Sequence, residues 1–450
     1  MHVSLDSALG RQRRLNSVGE SVLQIAPNAA AAYSLRSLTG GDPKVVRVRR
    51  KSDNAERDFT ASGVTSGALT SFVNEDVTIY QSDFSADANG WFGSTSLPTG
   101  NQDGVSDSAG TSKDNVLKLV KQADSQGYMQ RDQGVVAGLT YTVSGSFFAP
   151  ASNTAVDGIA IKDGVAGSSL SDYPSGYLTS DGTWTDFSFS YTATTGGTQR
   201  VNFGISSLGS NPNNSSTGSA GDIVYIADLK FVQTTSDGFV ETWYDQSGNG
   251  RDATQSVAGS QPKIVDAGVL VSGGLDFDGS DDFLTNGTAI MNNAANAYAS
   301  VVLSRTSTTS NEIPLSFPAD STGNRGFDLR LSSGTTSQLS IRTSAGSSNA
   351  SGSFATASGS NVLLTGTFNA GLSSDEAKFF GNGSLVGSAS NSGSGLINNG
   401  DNGGLFIGRF GSPTNFGAHL NGKVEEVIVY TSDQTANRVA LETNINSEYS

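Results

Sequence analysis

Short segments in which apolar and polar residues alternate recur along most of this chain, each ended by a cluster of Gly, Ser, Asn or Asp. Such alternation is what half-buried antiparallel strands require, because successive side chains point to opposite faces. Val116–Leu119, Leu139–Phe148, Trp184–Tyr191, Arg200–Ile205 and Ile223–Val232 form one series. Tyr298–Leu303, Gly326–Leu331, Gln338–Arg342, Asn361–Phe368, Glu376–Phe380, Gly404–Arg409 and Lys423–Tyr430 form a second. Earlier, Pro43–Arg50 reads as a strand whose Val45-Val46-Arg47-Val48-Arg49 partly alternates. Helical spacing is confined to Ser17–Leu23, to Thr65–Asn74, and to Ser432–Ser450, where Ala436, Val439, Ala440, Thr443 and Ile445 predict a closing helix. The Gly/Ser/Asn stretch from Ser384 to Gly404 predicts a long loop between strands. The fold class is therefore all-β.

Two segments carry more detail. Trp243-Tyr-Asp-Gln-Ser-Gly-Asn-Gly250 ends a strand with two aromatics and then turns through residues that tolerate positive φ. Asp245, Ser247 and Asn249 are placed to brace that turn through side-chain-to-backbone hydrogen bonds, with Trp243 and Tyr244 as core or anchoring residues. Gly274-Leu-Asp-Phe-Asp-Gly-Ser-Asp-Asp-Phe-Leu284 places Asp276 and Asp278 on the polar face of a strand and Asp281–Asp282 in the turn after it.

These segments, with Tyr33-Ser-Leu-Arg36, Val46–Glu56 and Leu420–Tyr430, resemble in order the concanavalin A-like sandwich of laminin-G-type domains and of arabinofuranosidase B-type catalytic domains. The layout is also similar to tail-associated or fibre-like proteins of tailed bacteriophages. The resemblance implies a discontinuous concanavalin A-like β-sandwich (33–76 plus 234–450), a short N-terminal arm (1–32) and a C-terminal helix. Residues 77–233 would be an inserted jelly roll similar to carbohydrate-binding modules, opening at Asp83-Phe-Ser-Ala-Asp-Ala-Asn-Gly-Trp91 and closing on Val224-Tyr-Ile-Ala-Asp228. In such modules the opening loop and closing Asp hold a structural Ca²⁺, so Asp83 or Ser82 with Asp228 is the expected metal site; hard oxygen donors suit that ion. The other reading of Asp228 is a strand-end cap.

At 450 residues the chain is long for one core. Its 55 glycines suit strands joined by turns. With no Cys and two His, at positions 2 and 419, disulfide, thiolate and histidine-based chemistry are largely excluded. The net charge of −15 argues against nucleic-acid or anionic-membrane partners. The basic residues are concentrated early, with ten Lys/Arg against six Asp/Glu in residues 1–60. Arg11, Arg13 and Arg14 make the arm a candidate for docking onto an acidic site of another virion protein, the alternative being a frayed terminus. The start of the chain lacks the apolar core of a secretory signal, and no apolar run is long enough to span a membrane. The composition looks like that of an extracellular sugar-binding protein without a secretory signal, and a virion protein assembled in a host cytoplasm and released by lysis accommodates both facts.

Sugar recognition needs flat aromatic faces with planar polar partners. The candidates are Trp91, Tyr173, Tyr177 and Trp184; Trp184 also reads as core. Asp276, Asp278, Asp281, Asp282, Asp375, Glu376, Glu425 and Glu426 supply carboxylates. Glycosidases need two at a set separation, about 5–5.5 Å in retaining enzymes, and spacing along the chain selects no pair. The Gly-Cys-Cys-Phe-Asp segment of the arabinofuranosidase B-type enzymes has no counterpart here, so no catalytic residue is assigned. The expectation is a non-enzymatic adhesive component of a phage particle, as a homo-oligomer with a trimer favoured, binding host-surface glycan. The alternative is a glycoside hydrolase or polysaccharide depolymerase.

Overall fold

The computed structural model describes residues 20–93, 99–120, 128–153, 158–162, 182–204, 219–307, 311–318, 325–332, 336–343, 346–354, 356–390, 396–397, 404–411 and 418–449. The chain divides into two compact units, one drawn from within 1–71 and 238–450 and the other from within 72–237.

In the first unit, Asn421–Tyr430 lies between Asn296–Arg305 and, at its other edge, Ala31–Ser34 and Leu275–Asp278. The sheet continues from Asn296–Arg305 through Val362–Asn369 and Ala377–Gly381 to Ser384–Ala389. A second layer runs antiparallel from Leu405–Ile407 through Glu312–Pro318, Arg325–Leu331 and Thr336–Thr343 to Gly346–Ser353. The layers meet tightly at Gly366. A Cβ there would lie 2.8–3.0 Å from the side-chain ends of Leu339, Phe327 and Leu329, so a larger residue would push those side chains aside.

Asn296–Arg305 is buried almost throughout, because the sheet that holds it is covered on both faces. Its second face, carrying Tyr298 and Val302, packs with Ile428 and Tyr430 against Val22, Ala26 and Leu38 from the early chain. Leu441 and Ile445 of the helix Arg438–Tyr449 complete that cluster. Among the described residues no helix is long and apolar enough to cross a membrane.

The loop expected over Ser384–Gly404 begins instead with a strand, Ser384–Ala389. It pairs back on Ala377–Gly381 through Asn382-Gly383, whose φ values are 48° and 83°. Two consecutive positive φ angles on Asn-Gly are the strongest short hairpin signal, and here they outweigh the low hydrophobicity of the following residues.

The Trp243–Gly250 turn ties the two ends of this unit together. Asp245 Oδ1 accepts from the Ala32 amide at 2.9 Å and from Ser247 N at 2.9 Å, and Oδ2 accepts from Arg251 N and Ser247 Oγ. Gln246 donates to the carbonyls of Ser34 and Arg36 and accepts from Leu38 N at 2.7 Å. Asn249 donates to Ala29 O at 2.9 Å. Trp243 is fully buried beside Tyr33, ring centroids 5.8 Å apart. The turn residues thus serve the fold, saturating backbone groups that lie some two hundred positions away.

The second unit is also a β-sandwich. One sheet runs Thr185–Thr192, Thr140–Phe148, Ile223–Gln233, Val116–Val120, Thr99–Gln102, with Val77–Gln81 also pairing Ile223–Gln233. The other runs Gly158–Lys162, Gly197–Gly204, Tyr128–Val135, Phe92–Gly93. Val143, Phe147, Leu117, Leu119, Ile226 and Phe231 are among the residues of its core.

Candidate functional site

In the second unit Phe147, Ile226 and Leu117 lie opposite one another across three strands and face the core. The next register positions must therefore face outward. These are Phe148, Tyr225 and Lys118, which pair in turn. Trp184, one residue before Thr185, extends the row, since Thr185 pairs with Phe147.

The side chains confirm the row. Phe148 lies 5.6 Å from Trp184 and 5.8 Å from Tyr225 between ring centroids, tilted by 35° and 33°. Lys118 Nζ approaches the Tyr225 ring at 5.8 Å, and Lys113 Nζ approaches the Trp184 ring at 5.7 Å. The strip is thus three aromatic rings with an ammonium at each end. Trp184 and Tyr225 are half-buried and Phe148 is buried between them.

Local structure fixes the ends of this strip. Trp184 Nε1 donates to Val105 O at 3.1 Å, and Ser108 N donates to Gly182 O, anchoring the hairpin that carries Lys113. Asp228 sits at a bulge with φ 54°, where the pairing of Thr140–Phe148 with Ile223–Gln233 shifts register. The bulge turns its carboxylate outward, 66% exposed, into an ion pair with Lys113. Gly145 faces the bulge, where a Cβ would lie 3.1 Å from the Ala227 carbonyl. Aromatic faces for the C–H side of a sugar, ammonium donors and an exposed carboxylate acceptor therefore converge on one face.

Of the residues the sequence pointed to, only Trp184 and Asp228 belong here. Trp91 is 4% exposed, packs among Phe84, Leu117 and Phe231, and donates through Nε1 to Tyr80 Oη at 3.0 Å. The expectation that it stacks on sugar is corrected: the positive φ of Asn89 and Gly90 turns the chain just before the ring enters the core. Tyr173, Tyr177, Arg11, Arg13 and Arg14 lie outside the described residues.

At the expected calcium site each of the three side chains meets a protein donor. Lys113 already sets a cation on Asp228, Asp83 Oδ1 accepts from Ser85 N, and Ser82 Oγ accepts from Leu229 N. Phe148, Tyr225, Lys113 and Lys118 were missed. Alternation within Ile223–Val232 already puts Tyr225 opposite Val224 and Ile226, but only the strand pairing reveals its neighbours.

Among the described residues, Asp278, Asp281 and Asp282 form the one group of three or more carboxylates or imidazoles close enough to share an ion, with oxygens within 4.8 Å of one another. The group closes the turn after Leu275–Asp278. Asp278 Oδ1 accepts from Ser280 N at 2.8 Å, Asp282 Oδ2 from Asp278 N at 3.1 Å, and Asp281 Oδ2 from Ser260 Oγ at 2.8 Å. Burial, then the neighbouring Asp278, pushes the Asp282 carboxyl up to about 7. His419 is held below its usual range by burial and by Arg409, against the pull of Asp278 and Asp281. Arg409 itself stacks on Phe283, 3.5 Å from the ring centroid.

Residues 277–440 match the family profile described as the concanavalin A-like lectin/glucanases superfamily. No curated protein matches the chain. Among solved structures, the chain is similar to the carbohydrate-binding module CBM40 of the Ruminococcus gnavus IT-sialidase, solved with α2,3-sialyllactose, at 12% identity and a TM-score of 0.28. That match covers 33% of this chain and 83% of the module. It is similar to the Trypanosoma rangeli sialidase at 14% identity and a TM-score of 0.34, covering 46% of this chain and 31% of the enzyme. A SAP-like pentraxin of Limulus polyphemus matches at 16% identity and a TM-score of 0.27, covering 33% and 69%.

Proposed function

We propose that this all-β chain with a concanavalin A-like sandwich is an adhesive, glycan-binding protein that holds saccharide on the Trp184–Phe148–Tyr225 strip without turning it over. One observation carries this: three aromatic rings lie side by side on the outward face of a sheet, bracketed by Lys113 and Lys118 and by the exposed Asp228. Trp184 and Tyr225, half-exposed on either side of the buried Phe148, suit a ligand with one apolar face and hydroxyls at its rim. A glycan array followed by calorimetry on the best ligand tests it. Trp184→Ala with Tyr225→Ala should weaken binding at least tenfold with the fold retained; undiminished affinity in a folded double variant overturns the proposal.

The role as a tail, fibre or decoration protein of a phage particle, clasped through Arg11, Arg13 and Arg14, rests on the resemblance of the Tyr33–Arg36, Val46–Glu56 and Trp243–Gly250 segments. A trimer would raise weak sugar contacts to useful avidity. Mass spectrometry of purified particles tests the location. A glycoside hydrolase or depolymerase is the alternative, favoured by Asp282 at about 7 within a carboxylate group. We favour binding because each of the three carboxylates is engaged by a protein donor, Asp278 and Asp282 within the turn and Asp281 by the Ser260 hydroxyl. Release of reducing ends from a polysaccharide substrate, lost in Asp282→Asn, would reverse that choice.

A further inference from the structure

The first unit carries a hollow of about 790 Å³ on the covered side of its sheet, beside the C-terminal helix. Hydroxyls and an amide make up much of its wall: Ser304, Thr306, Ser358, Ser360 and Asn361 come from two segments fifty positions apart, with Arg305 between the first two. Lys423 and Glu425 rise from the strand Asn421–Tyr430, and Glu448 and Tyr449 close it from the helix. A second hollow of about 310 Å³ adjoins it, sharing Asn361 and Tyr449. Val302, Val362 and Leu363 line it, with Asn382 and Asn446.

The shared wall is held rigidly. Tyr449 Oη donates to Glu426 Oε2 at 2.9 Å, lies 3.1 Å from Ser34 Oγ, and has Arg36 over its ring at 5.6 Å. Asn361 Nδ2 donates to Glu425 Oε1 at 2.6 Å. On the far side, Lys423 Nζ donates to Ser272 O at 2.7 Å, and Gly359 N donates to Arg305 O at 2.9 Å. Rigid polar walls of this kind pre-organise a site for a hydroxylated ligand.

Charge and shape narrow the ligand. Glu425 and Glu448 face the large chamber, while its two cations are already engaged, Lys423 by the Ser272 carbonyl and Arg305 by Glu312, so carboxylated and sulfated ligands meet two carboxylates and no uncommitted cation. The small chamber joins an apolar floor to the amides of Asn361, Asn382 and Asn446, which suits an acylated amino group. We propose that this two-chambered cleft is a second saccharide site, specific for neutral oligosaccharides bearing N-acyl groups. The sugar ring would lie in the large chamber and the acyl group in the small one. It goes beyond the aromatic strip of the other unit and does not depend on it.

The test uses the full chain carrying Trp184→Ala and Tyr225→Ala, which removes the strip, with calorimetric titration of triacetylchitotriose, cellotriose and trigalacturonic acid. Triacetylchitotriose should bind at least tenfold more tightly than cellotriose, and trigalacturonic acid should not bind. Ser358→Trp, at an exposed position, should abolish binding by filling the large chamber. Asn446→Trp should erase the preference for the acetylated sugar. No binding of triacetylchitotriose, equal binding of the two neutral sugars, or full binding by the folded Ser358→Trp protein overturns the proposal.

Discussion

Replacing Asp282 by Asn isolates one buried carboxyl whose ionisation works against the fold. Asp282 is 6% exposed, and its carboxyl is raised to about 7 by burial and by the carboxylates of Asp278, Asp281 and Asp276. In the unfolded chain an Asp titrates near ~3.9. The folded state therefore binds the proton more tightly, and the unfolded state binds fewer protons across the interval. Stability from this group is complete below the unfolded value and is lost as pH rises through about 7. At 1.36 kcal/mol per unit, the loss amounts to about 4 kcal/mol between acid and alkaline limits. An amide can accept the Asp278 amide proton as the acid does, so the variant keeps that contact and drops the titration. The assay is urea unfolding from pH 4 to 8, followed by Trp243 fluorescence with Trp91→Phe and Trp184→Phe in both proteins. Glu312 is also raised to about 7 by burial, but it is common to both proteins and cancels in the difference. The variant should gain about 3–4 kcal/mol on the parent across that range. Parallel stability curves, differing by less than about 0.5 kcal/mol in slope across the range, would show that the carboxyl is not isolated from water.

Trp91→Ala should destabilise the second unit by about 3–5 kcal/mol in thermal or urea unfolding, as expected for a deleted core aromatic; an effect under about 1 kcal/mol would contradict its place in the core. Asp245→Ala strips hydrogen bonds from the amides of Ala32, Ser247 and Arg251, and should cost about 2–4 kcal/mol in the first unit. Because Lys113 neutralises Asp228 and the Asp278–Asp282 turn braces itself, millimolar Ca²⁺ or EDTA should leave the melting temperature unchanged. A rise of several degrees with Ca²⁺, lost in Asp281→Asn, would assign the turn a cation.

Legibility in the sequence followed the range of the interaction. Period-two alternation marked Leu139–Phe148, Ile223–Val232 and Lys423–Tyr430, because each strand records its own inward and outward faces. The Asp245 turn was legible as a brace, since Asx-type bonds close within a few residues; that it also grips Ala32, Ser34 and Leu38 was not. Asn382-Gly383 was a hairpin signal overlooked beneath a Gly/Ser/Asn composition. Trp91 and Trp184 look alike in sequence, both adjoining a turn, and only the sheet register sends one inward and the other out. The row Trp184–Phe148–Tyr225–Lys118 and the cleft at Asn361 and Tyr449 draw on segments that alternation cannot align, so neither could be assembled before the strands were paired.

Hydroxyl-radical footprinting with and without the best array glycan most directly probes the aromatic strip. Saturating glycan should protect Trp184 and Tyr225 together, while Trp91, already shielded by the core, stays unreactive in both states. Oxidation of Trp184 and Tyr225 unchanged by saturating glycan would place the sugar elsewhere and contradict the account.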